Sequence, residues 1–152
     1  MEYTAGAYTN KNESEDNSMR QLKFKYYMQH EDTGIITYTI YELEEIESYD
    51  GIQIPHRYFI FQRSQFTGLL DKNGVEIYEG DILPAEYTKN GKNYVVNQIV
   101  IWNQEYCGFT IGSCYEDEES LSEEIAENAA VIGNIHQNKV AINLKRRNDH
   151  DN

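Results

Sequence analysis

The sequence predicts a mainly β protein: an SH3-like or related β-barrel or sheet core with an N-terminal β-hairpin region and one short helix near residues 117–128. Three observations predict it. Apolar and polar residues alternate with a period of two in several short runs, which is the periodicity of a strand. The dipeptide Asn90-Gly91 stands between two such runs, and both residues tolerate the positive φ of a type I′ hairpin turn. Thirteen tyrosines against only two prolines in 152 residues suit half-buried pleated surfaces. A chain of this length makes one domain, with a core large enough to stand without disulfide or metal staples.

The elements follow in order. Residues 1–18, MEYTAGAYTNKNESEDNS, are small and polar and cannot bury enough apolar surface to offset chain entropy, so a disordered extension is expected there. In "LKFKYYM", Leu22, Phe24, Tyr26 and Met28 alternate with Lys23, Lys25 and Tyr27. This predicts a strand with a basic outer edge. The turn "EDTG" leads to a second strand, "IITYTIYEL", which completes a hairpin. "QIPHRYFIFQRSQF" is aromatic and β-branched enough for a third strand.

Two turns come next. Asp71, Asn73 and Gly74 form the first, where Asp suits the opening position and Gly74 accepts positive φ. Glu79-Gly80-Asp81 forms the second, and "ILPAEYTKNGKNYVVNQIVIW" then makes a hairpin tipped by Asn90 and Gly91. Its returning strand has Val95, Ile99 and Ile101 on one parity and Tyr94, Val96, Val100 and Trp102 on the other. Apolar residues on both parities place it inside a sheet. "CGFTIGSCY" is a further strand, and "EDEESLSEEIAENAA" is the predicted helix, with Leu121 and Ile125 on one edge. "AVIGNIHQ" closes the domain as a last strand, and residues 139–152 are expected to be a flexible tail.

With these elements in place, "FTGLLDKNGVEIYEGDIL", "IVIWNQEYCGF" and "AAVIGNIHQN" together carry a resemblance. The chain from Met19 to Asn138 resembles the YopX family of small phage and prophage proteins, whose hallmark runs approximately YTGLKDKNGKEIYEGDIV, then V-x-W, Gly-Phe and VIGNIYEN. It departs from that pattern at Phe66, Leu70, Pro84 and His136. The resemblance implies a β-rich fold of phage or prophage origin and no assigned activity.

Tyr78, Glu79, Gly80, Asp81 and Trp102 are the candidate cleft positions within the motif. Each has an ordinary structural role that outweighs the functional one: a tryptophan in an alternating strand packs in a core, and Gly-Asp shapes the entry bend of a strand. A calcium loop aligned on Gly74 puts Leu69 at its first position and Gly80 at its twelfth, where acids are required. Thr67-Gly68 precedes a turn and a strand, so it makes no phosphate cradle. His30, His56, His136 and His150 stand in no recognised frame with Ser64, Ser113, Cys107 or Cys114. The spacing of Cys107 and Cys114 fits neither a redox pair nor a zinc knuckle and predicts free thiols. No catalytic residue, metal site or cofactor is implied, and a non-enzymatic role is favoured.

Thirteen bases against 26 acids leave a net charge of −13, which opposes approach to phosphate backbones and anionic membranes. Between Ile82 and Asn138, nine acids against two lysines leave −7. The run from Glu116 to Glu127 reads first as a solvated helix face, and second as a mimic of nucleic-acid charge that captures a basic host protein. No run of 18 apolar residues and no secretory h-region is present, so a cytoplasmic protein of the host cell, with no membrane span, is expected. The sequence therefore predicts a small acidic phage or prophage protein that binds a protein partner or associates with itself, and does not bind nucleic acid. The alternative is an enzyme or host-factor modulator with a site assembled from distant residues.

Overall fold

The computed structural model describes residues 20–113 and 116–138. The expected extension at 1–18, the expected tail at 139–152, and Cys114 lie outside the described residues. The alternating stretches form two antiparallel sheets, which do not close into a barrel among the described residues. Of the barrel and sheet cores the pattern allows, the open sheet is the one formed.

The first sheet is ordered β2-β1-β3-β4. Strands β1 (Lys23–His30) and β2 (Ile36–Glu42) make the N-terminal hairpin, in register from Lys23 opposite Glu42 to Gln29 opposite Ile36. A one-turn helix, α1 (Leu43–Ile46), follows β2. The long β3 (Tyr58–Leu70) pairs with β1 along its first half and with the short β4 (Glu76–Tyr78) at its end. Opposite Tyr27 and Met28 the register skips Phe61, an extra residue that bulges β3. The strand does not keep an outward basic side: Tyr26, Tyr27 and Met28 are all buried, and so is Lys25. Burial of four consecutive residues, Lys25 to Met28, shows that β1 is covered on both faces there.

The second sheet is ordered β8-β7-β6-β5-β9. Strands β5 (Asp81–Lys89) and β6 (Lys92–Asn103) form a hairpin in unbroken register from Ile82 opposite Ile99 to Lys89 opposite Lys92. At its tip Asn90 and Gly91 have φ of 53° and 73°, the left-handed conformation that lets the turn follow the strand twist. Tyr87 and Tyr94, opposite one another, stack at 5.3 Å. Strand β7 (Gly108–Ser113) pairs with β6 on one side and with β8 (Glu116–Ser120) on the other.

The predicted helix near 117–128 is therefore shorter than its glutamates suggest: α2 spans Glu123–Asn128. Glu116–Ser120 instead completes the sheet, because β7 would otherwise present an unpaired edge and backbone pairing outweighs a weak helix propensity. Ser122 then starts the helix, its hydroxyl accepting the Ile125 N–H. The last strand, β9 (Gly133–Asn134), has only two residues. The Asn134 side-chain oxygen accepts the N–H groups of His136 and Gln137 and bends the chain away.

The core lies where the second sheet meets α2. Leu83, Val100, Ile111 and Leu121 pack with Ala126 and Ala129, and Ile77 joins them from β4 in the first sheet. The motif "FTGLLDKNGVEIYEGDIL" is thus the passage of the chain from one sheet to the other: the end of β3, the short β4, a corner, and the start of β5.

Candidate functional site

Both turns of this passage are tied down by aspartates. Asp71 is buried; one of its oxygens accepts the N–H of Asn73 at 2.8 Å and of Val75 at 2.9 Å. Its other oxygen accepts the N–H of Val131 at 2.9 Å. Burial pushes its pKa up, but the three backbone donors outweigh this and hold it below the ordinary carboxylate value. Gly74 closes the turn at φ 77°.

The second turn is packed more tightly. The Gly80 N–H donates to the Val100 carbonyl at 2.7 Å, and the Glu79 N–H to the Gln65 carbonyl at 2.9 Å, so the corner is stitched to both sheets. Gly80 has φ 85°, and a Cβ there would lie 3.0 Å from Nε2 of His136. Asp81, 1% exposed, receives the Tyr78 N–H on one oxygen at 2.8 Å. Its other oxygen is 3.7 Å from the Lys25 ammonium, an ion pair too long to be a hydrogen bond.

Around Asp81 the fold gathers polar groups from distant parts of the chain. The buried Lys25 ammonium sits 4.2 Å from the Tyr78 ring centroid and 5.0 Å from that of Tyr38. The Tyr78 hydroxyl donates to Glu76, which also receives the Lys23 ammonium at 2.6 Å. Ser64 Oγ, on β3, is 3.3 Å from Nε2 of His136, whose ring lies 4.5 Å from that of Tyr27. The Tyr27 hydroxyl has no hydrogen-bond partner among the described residues.

Burial dominates the electrostatics of this cluster. It pushes the Asp81 carboxyl up to about 6, although the Lys25 charge and the Tyr78 N–H pull the other way. It raises the Tyr27 phenol, assisted by the Asp81 charge, and raises the Tyr78 phenol, assisted by the hydrogen bond to Glu76. It lowers the His136 imidazole, which favours the neutral ring. The arrangement joins the sheets through an ion pair and holds a hydroxyl beside an imidazole, but Ser64 is only 1% exposed.

Of the sequence candidates, Tyr78, Glu79, Gly80 and Asp81 come together at this corner. Trp102 does not. It is 45% exposed and stacks edge-on against Phe109 at 5.2 Å, so it is neither a core residue nor a neighbour of Asp81. The reading of Trp102 as core fails because its stretch of β6 lies past Ile99, where the pairing with β5 stops. Lys25 and Tyr27 are not among the sequence candidates, whereas Ser64 and His136 stand there as a possible nucleophile and base with no local frame to join them. The only local signal was that the run Tyr26-Tyr27 places apolar residues on both parities of β1, which marks a strand covered on both faces.

Comparison with known proteins adds three findings. No curated protein matches the sequence. Protein EF1440 from Enterococcus faecalis, known from a crystal structure, is 24% identical, with 77% of this chain and 74% of that chain covered and a TM-score of 0.41. The model of the YopX protein family matches residues 7–142, a span that takes in both sheets, the aspartate-tied passage between them and the closing Asn134 turn. That coverage of nearly the whole chain makes this protein a member of the YopX family.

Proposed function

We propose that this protein is a phage- or prophage-borne module that works through protein contact, and that its first contact is with a second copy of itself through the β2 edge of the first sheet. The carrying observation is the contrast between buried chemistry and exposed apolar surface. Ser64, Asp81 and Lys25 are buried, whereas Tyr38 and Ile40 on β2 and Phe59 and Phe61 on β3 are exposed beside Tyr27. Strand β2 ends its sheet, so its outer backbone groups have no strand partner among the described residues. Pairing two such edges antiparallel about a twofold axis continues the sheet and brings the apolar side chains of both copies together.

Charge supports this placement. The four strands of the first sheet carry Lys23, Lys25 and Arg63 against Glu42 and Glu76, and so are close to neutral, whereas the stretch from Ile82 to Asn138 carries −7. Two acidic copies repel least where the first sheets face each other. The same charge, with Lys23 and Lys25 already paired to Glu76 and Asp81, leaves little for a nucleic acid to grip. Light scattering across a concentration series tests the reading: a dimer is expected, and Ile40→Glu and Tyr38→Glu should return it to monomer while circular dichroism keeps its β signature. A monomer at every concentration, or a dimer indifferent to both substitutions, overturns it.

One observation favours a second reading, an enzyme with a site assembled from distant residues. Ser64 and His136 form a hydroxyl–imidazole pair at 3.3 Å, and burial favours the neutral ring, the form that can act as a base. Access to Ser64 requires the turn at 135–137 to move. Labelling of Ser64 by a fluorophosphonate, lost in His136→Phe, would establish this reading; an inert Ser64 would dismiss it.

A further inference from the structure

The second sheet carries a cleft that the self-association reading does not use. It encloses about 450 Å³ between α2 and the face of β5, β6 and β7, within the size range of sites for small organic molecules. Leu83, Ile111, Ile125 and Ala129 supply apolar walls. Gln98 lines the cleft at only 3% exposure, and its carboxamide makes no hydrogen bond with any described residue. The residual exposure of Gln98 opens on the cleft, so its amide donor and acceptor are available to a guest there.

The mouth of the cleft has a definite sign. Glu86, Glu119 and Glu124 stand at its rim, all exposed, against the single ammonium of Lys72. Lys72 is held there by the first turn of the motif: its N–H donates to the Ala129 carbonyl at 3.0 Å, next to the Asp71–Val131 bond. The turn that changes sheets is therefore also a wall of the cleft.

We propose that this cleft binds a small organic cation with an uncharged amide-like head, the head pairing with Gln98, the apolar body lying between Leu83, Ile111 and Ile125, and the charged end meeting the rim glutamates. A carboxamide both donates and accepts, so a head that does the same satisfies it completely. Three carboxylates against one ammonium favour a cation over its neutral and anionic isosteres.

The full chain is titrated by NMR with three probes of one shape: 4-(aminomethyl)benzamide, 4-methylbenzamide and 4-carbamoylbenzoate. The cation is expected to bind saturably and to weaken with added salt, the neutral probe to bind less tightly, and the anion least. Gln98→Met should weaken the cation by about tenfold or more while the melting temperature holds, because methionine keeps the volume of the side chain. Should Gln98→Met not fold, the Glu119→Gln/Glu124→Gln pair serves: the preference for the cation should vanish while the neutral probe binds as before. The proposal is overturned by no saturable binding at millimolar cation, by equal binding of the anion, by indifference to Gln98→Met, or by a cation preference that survives the paired substitution. The oligomeric state, which rests on the first sheet, is not expected to change in any of these variants.

Discussion

The carboxylate of Asp71 accepts the backbone N–H of Val131 at 2.9 Å across 60 residues of sequence. Since its other oxygen holds Asn73 and Val75, one side chain both folds its own turn and fastens that turn to the chain leaving α2. The motif's first turn is thereby part of the tertiary structure and not a free loop.

Removing that carboxylate leaves three backbone donors without an acceptor. Asp71→Ala should lower stability by about 1–3 kcal/mol, and Asp71→Asn by less, since a carboxamide oxygen replaces one of the two acceptors. Urea midpoints measure both. An unchanged midpoint for Asp71→Ala would rule out the anchoring role.

The two motif aspartates should respond to pH with opposite signs. Asp81 titrates at about 6 in the folded protein against an ordinary 3.8, so between those values the folded state holds a proton that the unfolded state has lost. Its contribution is full below pH 3.8 and is lost as pH rises through about 6. Asp71 and Glu76 are held below their ordinary values of 3.8 and 4.5; their contributions are present above those values and lost as pH falls. Asp81→Asn should therefore abolish a decline in stability on going from pH 3.8 to about 6. Stability curves for wild type and D81N that run parallel through that window would contradict the buried, raised carboxyl.

Gly74 and Gly80 share positive φ but not surroundings. At Gly74 nothing lies within 4 Å of a Cβ, so Gly74→Val should cost only the backbone strain, about 1 kcal/mol. At Gly80 a Cβ also meets His136 at 3.0 Å and Ile135 at 3.3 Å, so Gly80→Val should cost distinctly more. Thermal melts showing equal losses would remove the contact with His136 from the explanation.

The buried Tyr27 hydroxyl has no partner among the described residues, so Tyr27→Phe should leave stability unchanged or raise it. A loss of more than about 1 kcal/mol on denaturant unfolding would show that the hydroxyl is paired in solution.

The sequence by itself determined the elements whose cause is local. Asn90-Gly91 sets its hairpin because both residues accept positive φ, Asp71 to Gly74 set theirs because the aspartate bonds its own backbone, and the period-two runs declare strands wherever one face is buried. What the tertiary structure alone decided has a cause elsewhere in the chain. Glu116–Ser120 is a strand and not helix because β7 needed an edge partner. Lys25 is buried because β1 lies between β2 and β3 and meets Asp81, 56 positions later, across the sheet junction. Trp102 is exposed because the pairing of β5 with β6 stops at Ile99 and only β7 flanks the strand beyond it, and Gln98 lines a cleft because α2 lies across the face of the sheet. Turn chemistry and side-chain alternation act over a few residues and can be read from them, whereas burial and charge pairing depend on which strands become neighbours, and that is settled only when the two sheets meet.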